Sequence, residues 1–252
     1  MANRVWHVIG NGDKAQFYKE EKREGKKLLC NMPPFDIPRE DVFATCMVDF
    51  KMMAALTEGS LNLDMYPWIL GNRPRIWMDQ PEQSRFYLKY APNIKEFYLN
   101  VPKYCGPVGS AEAATNFNCG HMAVHYAASK QKASEIHMWG FDTLFDFNMR
   151  SITDLYLNSD RSDTNNYRLI NNWRPIWYNL FKEFPDTRFI LHHDHPDLKI
   201  PNPGKNITVM VHQPPTQAKK DEIVRVSPED YKKMNRKQRR AYDAQLRKGL
   251  LG

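Results

Sequence analysis

The sequence predicts an α/β fold: a Rossmann-like, doubly wound, mostly parallel sheet with a basic helical C-terminal tail. Three observations carry that expectation. Short apolar runs of strand character alternate with helical stretches as far as Leu191. Several of these runs end in Gly, Asn or Asp, the residues of tight strand–helix turns. The positive charge lies at one end: of the net +7, residues 216–252 hold eleven Lys/Arg against five Asp/Glu, which leaves about +1 for the body.

In chain order, residues 5–9 form an apolar run closed by Gly10-Asn11-Gly12, the pattern of a buried strand and a tight turn. Asp13 can cap a helix over residues 14–21 that Gly25 ends. Residues 27–30 read as a second strand, and residues 42–48 as a third that stops at Asp49. Residues 75–78 and 97–99 are further strand candidates. Residues 120–130 are a helix with small side chains on one face. Residues 135–139 form a strand ending at Gly140-Phe141-Asp142. A long helix over 166–184 should be kinked or divided by Pro175. Residues 187–191 are the last core strand. The nucleotide-binding body is thus expected over residues 1–200. A linker rich in Pro, Asn and Gly follows over 201–226, and a basic helix over 227–252. That helix opens with Ser227 at the cap, Pro228 at the first position and acids in the first turn.

Composition excludes several classes. No run of eighteen apolar residues exists, and the first residues lack the apolar core of a signal peptide, so cytoplasmic residence is the expectation. None of Cys30, Cys46, Cys105 and Cys119 forms a C-x-x-C pair, and they read as free thiols. A body near neutrality carries no nucleic-acid footprint. Any attraction to nucleic acid, acidic lipid or an acidic partner belongs to the tail.

Candidate site residues follow from the strand ends, because open parallel sheets bind ligands outside the carboxyl ends of their strands. Gly10, Asn11 and Gly12 close the first strand, Asn31 the second, Asp49 the third, and Asn118 with Gly120 opens a helix. Gly140 and Asp142 close a later strand. Glycines let a phosphate approach the backbone, and Asn can both donate and accept. Each residue taken singly also fits a plain turn or cap. Downstream, Arg150 and Arg161 lie in a stretch dense in Asp, Ser and Thr, where they can clamp a phosphate or simply pair with neighbours. His192-His193-Asp194-His195 follows the last strand. On an extended chain only alternate members share a face, so His193 pairs with His195 and His192 with Asp194. Metal binding, general acid/base work and a plain loop all remain open there. No metal site is assigned, since outside ligands are not identified.

The order strand–Gly10-Asn11-Gly12, Cys30-Asn31, Cys119-Gly120, then Glu135-Ile136 and Gly140-Phe141-Asp142 resembles the bacterial sialyltransferases that use CMP-sialic acid to modify lipooligosaccharide. It also resembles the domain-of-unknown-function 115 group with its pterin pyrophosphokinase-like members. The resemblance spans roughly residues 4–200 as scattered short motifs. It implies that Asn11 and Asn31 contact nucleotide phosphate or sugar, that Gly120 allows close backbone approach, and that Asp142 lies beside the ribose or donor sugar. Three departures stand out. Asp13-Lys14 follows the turn in place of Pro-Ser. Asp49 stands where Asn-Pro is expected. No histidine lies between His137 and His192, where those enzymes carry their base.

The expected function is therefore a glycosyltransferase-like transfer from a nucleotide-sugar donor to a hydroxyl acceptor, with Asp142 and His193 as the catalytic candidates. The alternative is a phosphoryl or pyrophosphoryl transfer with Mg²⁺ held by Asp49, Asp142 or Asp146. A third reading is a non-enzymatic binding or assembly protein, since the short basic tail resembles the ends of bacteriophage proteins.

Overall fold

The computed structural model describes residues 4–18, 23–32, 35–146 and 169–213. The basic tail, Arg150 and Arg161 lie outside them. The compact unit that carries the sheet runs through His212.

Eight parallel strands form one sheet: β1 (Val5–Ile9), β2 (Lys26–Cys30), β3 (Val42–Met47), β4 (Trp68–Leu70), β5 (Ile94–Phe97), β6 (Glu135–Trp139), β7 (Arg188–His193) and β8 (Ile207–Val211). Their order is β5-β4-β3-β2-β1-β6-β7-β8. The chain thus builds outward from β1 on one side, then returns to the other side of β1. That reversal sets a topological switch point between β1 and β6. Register across it is in step, with Val5 opposite Glu135 and Ile9 opposite Trp139.

The sheet is covered on both faces, as its near-continuous apolar strands require. One face packs Trp6, Val8, Leu28, Ile136, Met138, Phe189 and Leu191 against two helices. These are α5 (Cys119–His125), prolonged by a π turn over Tyr126–Lys130, and α6 (Arg174–Glu183). The other face packs Ile9, Leu29, Met47, Trp68 and Trp139 against a 3-10 turn (Asp13–Tyr18), α1 (Phe50–Glu58), α2 (Asn72–Met78) and α3 (Ser84–Tyr90). A short α4 (Ala111–Asn116) precedes α5. Before the switch the crossovers carry the second face, and after it the first. This is the doubly wound arrangement expected. Among the described residues no helix is long and apolar enough to cross a membrane.

Local chemistry explains the element ends. Gly59 closes α1 in the left-handed conformation at φ 75°, with its N–H on the carbonyls of Ala55 and Leu56. Ser110 caps α4 through Ala113 N. Pro175 lies in the first turn of α6, and a π turn over Leu169–Trp173 precedes it, so the expected long helix is divided where Pro175 enters.

Three expectations are corrected. Residues 75–78 are the end of α2, not a strand: Met78 is buried while Ile76 is 52 % exposed, a helical rather than alternating pattern. The strand that belongs there is β4, three fully buried residues too short to show a period. Residues 97–99 only touch the end of β5, which starts at Ile94. Residues 201–213, read as linker, contain β8. Asn206 fixes its approach, its side-chain amide donating to the carbonyls of Phe181 and Phe184 at 3.0 Å while its own carbonyl accepts from Phe189 N at 2.8 Å. The Pro/Gly/Asn flanks masked a half-exposed edge strand.

Candidate functional site

The switch point brings together the end of β1, the turn after β6 and the end of β7. Gly10 N donates to Trp139 O at 2.7 Å and Gly12 N to Gly140 O at 3.1 Å. A Cβ at Gly10 would stand 2.7 Å from the Gly140 carbonyl oxygen, and one at Gly12 would stand 2.7 Å from Asp142 Cγ. Gly140 itself sits at φ +70°, with a Cβ position 2.7 Å from that of Ala15. These glycines therefore let two loops interlock and leave room for the Asp142 carboxyl. Their N–H groups at positions 10 and 12 are spent on carbonyls rather than left for a phosphate. Gly120 likewise admits Phe141, whose Cε1 would be 2.9 Å from a Cβ. Gly10→Ala should then cost about 1–3 kcal/mol of stability, the range for overpacking against a fixed neighbour. Urea denaturation of the purified variant measures it, and an undiminished midpoint would return the glycine to a ligand role.

Asp142 is 3 % exposed. Its Oδ2 accepts from Lys14 N at 3.2 Å, and its Oδ1 is buried without a partner. Burial pushes its carboxyl up to about 7; Asp13 and Asp146 push the same way and Lys14 opposes them. The turn that holds it is braced by Arg174, which donates to Thr143 O at 3.0 Å and Asp146 O at 2.8 Å.

His193 is 1 % exposed and stacks on Phe145 at 4.0 Å between ring centroids. Burial lowers its imidazole to about 4. Its Nδ1 lies 2.9 Å from Asp194 Oδ1, and Asp194 is ion-paired through Oδ2 with Lys14 Nζ. The His193 and His195 rings meet edge to face at 4.3 Å. His192 points to the opposite face of the sheet, stacked on Trp139 at 3.4 Å and hydrogen-bonded to His137 and His212. His193 and His195 thus fall together and His192 opposite, as alternation requires, but Asp194, just past the end of β7, turns to His193 and Lys14 instead of siding with His192.

The remaining candidates spread along the edge. Asn11 donates its amide to Met32 O at 2.6 Å, tying β1 to the end of β2. Asn31 adopts φ 61°, donates its N–H to Cys46 O, accepts from Thr45 Oγ1, and keeps a buried Oδ1 without a partner. Asn118 caps α5 in a reciprocal box with His121. Asp49 accepts from Arg73 at 2.9 Å, at the end of β3. Asp142 and His193 are therefore gathered at the switch, together with Asp146, while Asn31 and Asp49 stand two and three strands along. Lys14 and Arg174 were not foreseen. Lys14 lies two residues past Gly12 and was legible there. Arg174, 28 residues beyond Asp146, was not.

No family model, curated protein or solved structure matches the chain. The fold and this edge define a Rossmann-like α/β protein with a carboxyl–imidazole cluster at its switch point.

Proposed function

We propose that the protein is a transferase that moves a sugar from a nucleotide-sugar donor to a hydroxyl acceptor, with Asp142 taking the acceptor proton. One observation carries the reading: at the switch point of a doubly wound parallel sheet, a buried carboxyl holds one oxygen to a backbone N–H and leaves the other without a partner. A buried polar atom left so costs about 1–3 kcal/mol, and a substrate hydroxyl is a group that satisfies it. Asn31 Oδ1, similarly unpartnered at the end of β2, suits a nucleotide N–H or hydroxyl. The residue pattern that resembles the sialyltransferases supports the same class. A metal-assisted phosphoryl transfer is the second reading. It is favoured by Asp142 and Asp146 sharing one turn, where Asp146 N donates to Asp142 O at 3.0 Å.

A thermal-shift screen of the full chain against CMP, UDP, GDP and ATP, with and without Mg²⁺, tests both. One nucleotide is expected to raise Tm without Mg²⁺. A rise that needs Mg²⁺ supports the second reading, and no rise with any nucleotide sinks both in favour of a non-enzymatic role.

A further inference from the structure

The side chains of Asp146, His193 and His195 each offer one ligand atom, and these atoms all lie within 4.8 Å of one another. Asp146 ends the turn after β6, and the histidines end β7. We propose that the three bind one divalent transition-metal cation of the zinc–cobalt–iron class. The inference stands apart from the transfer reaction above, since it rests on ligand chemistry alone.

Four features argue for it. Imidazole nitrogens with one carboxylate suit these borderline cations, whereas Mg²⁺ and Ca²⁺ prefer oxygen sets. His193 Nε2 is buried and has no partner among the described residues, a cost that a bound cation removes. Asp194 Oδ1 lies 2.9 Å from His193 Nδ1 and Lys14 holds its other oxygen, so a carboxylate stands directly beside the imidazole and favours a bound cation there. The frame is fixed on both sides: Arg174 grips the Asp146 carbonyl, and Phe145 stacks on His193. Three protein ligands leave positions open to water or to a substrate oxygen, the pattern of reactive rather than purely structural sites. The 192–195 segment could not show this, because its third ligand comes from a loop 47 residues earlier than His193.

The three ligating groups sit beside the candidate transferase carboxyl, so the test reads binding and not activity. The full-length protein is stripped with a chelator, then titrated with Zn²⁺ in competition with a chromophoric chelator. Saturation at one Zn²⁺ per chain is expected, and Co²⁺ in its place should give visible d–d absorption. His195→Ala and Asp146→Asn should each weaken Zn²⁺ affinity at least roughly tenfold with unchanged circular dichroism. His212→Gln, on the other face of the sheet, should leave affinity unchanged. Absence of saturable zinc overturns the proposal. So does an affinity that survives both ligand substitutions, or one that falls with His212→Gln.

Discussion

Asp142→Asn is expected to lower the turnover of the donor nucleotide sugar by a factor on the order of 10²–10⁴, the usual worth of a positioned proton acceptor. The substitution is nearly isosteric. Its carbonyl oxygen can still accept from Lys14 N, so the loops around Gly12 and Gly140 have no reason to part. Tm should change little, and nucleotide affinity should stay near that of the unaltered chain. What is lost is the ability of the free oxygen to take a proton. Release of nucleotide from the donor that answers the thermal-shift screen, followed by chromatography, provides the rate. Full activity in the variant would remove Asp142 from the chemistry and move the role to His193. Lost binding at an unchanged rate under saturating donor would make Asp142 a substrate contact only.

Mild acid should oppose folding at two buried rings. Two buried histidines outside the site are locked in a neutral tautomer. His7 Nε2 donates to Glu24 O at 2.8 Å, while its Nδ1 accepts from Trp139 Nε1 at 3.1 Å. His121 Nε2 donates to Trp173 O at 3.3 Å, while its Nδ1 accepts from Asn118 N at 3.3 Å. A second proton on either ring would cut one of these bonds. Burial lowers His7 from 6.5 to about 4 and His121 to about 3. At these two rings the unfolded chain therefore takes up protons below about pH 6.5 that the folded chain refuses, and their contribution to stability falls as pH falls. Above pH 7 neither state binds them and the contribution is flat. At pH 5 each histidine should cost about 2 kcal/mol relative to pH 8. Asp142, held up to about 7, acts with the opposite sign in the same window, and other buried histidines add to the loss. Urea denaturation from pH 8 to pH 5 therefore compares the unaltered chain with His7→Gln, which should lose about 2 kcal/mol less. An equal change in the two chains would refute the assignment of His7 as a neutral, buried ring.

The strand positions that were legible owe it to local chemistry. β1, β2, β3 and β6 are apolar runs closed by Gly, Asn or Asp, and the structure places them within a residue or two of expectation. β4 was hidden because three residues cannot display a period. β8 was hidden because its flanks carry the composition of a linker. The glycine turn was legible as a turn. Its purpose was not, since only the facing loop shows that Gly12 makes room for Asp142 and that the amides of Gly10 and Gly12 are already engaged.

By itself the sequence determined the α/β class, the doubly wound alternation, the edge of the sheet where polar residues collect, and the opposite facing of His192 and His193. All of these depend on residues within a turn or two of one another, where backbone period and turn chemistry decide. Tertiary structure alone decided which strand ends become neighbours. The reversal of strand order at β1 and β6 sets the end of β1 against the turn after β6, and β7 pairs with β6 directly. Lys14, Asp142, Asp146, Asp194 and the two site histidines, spread over some 180 positions, meet there. Their meeting depends on sheet order, and sheet order is fixed by the burial of whole strands rather than by any short pattern along the chain.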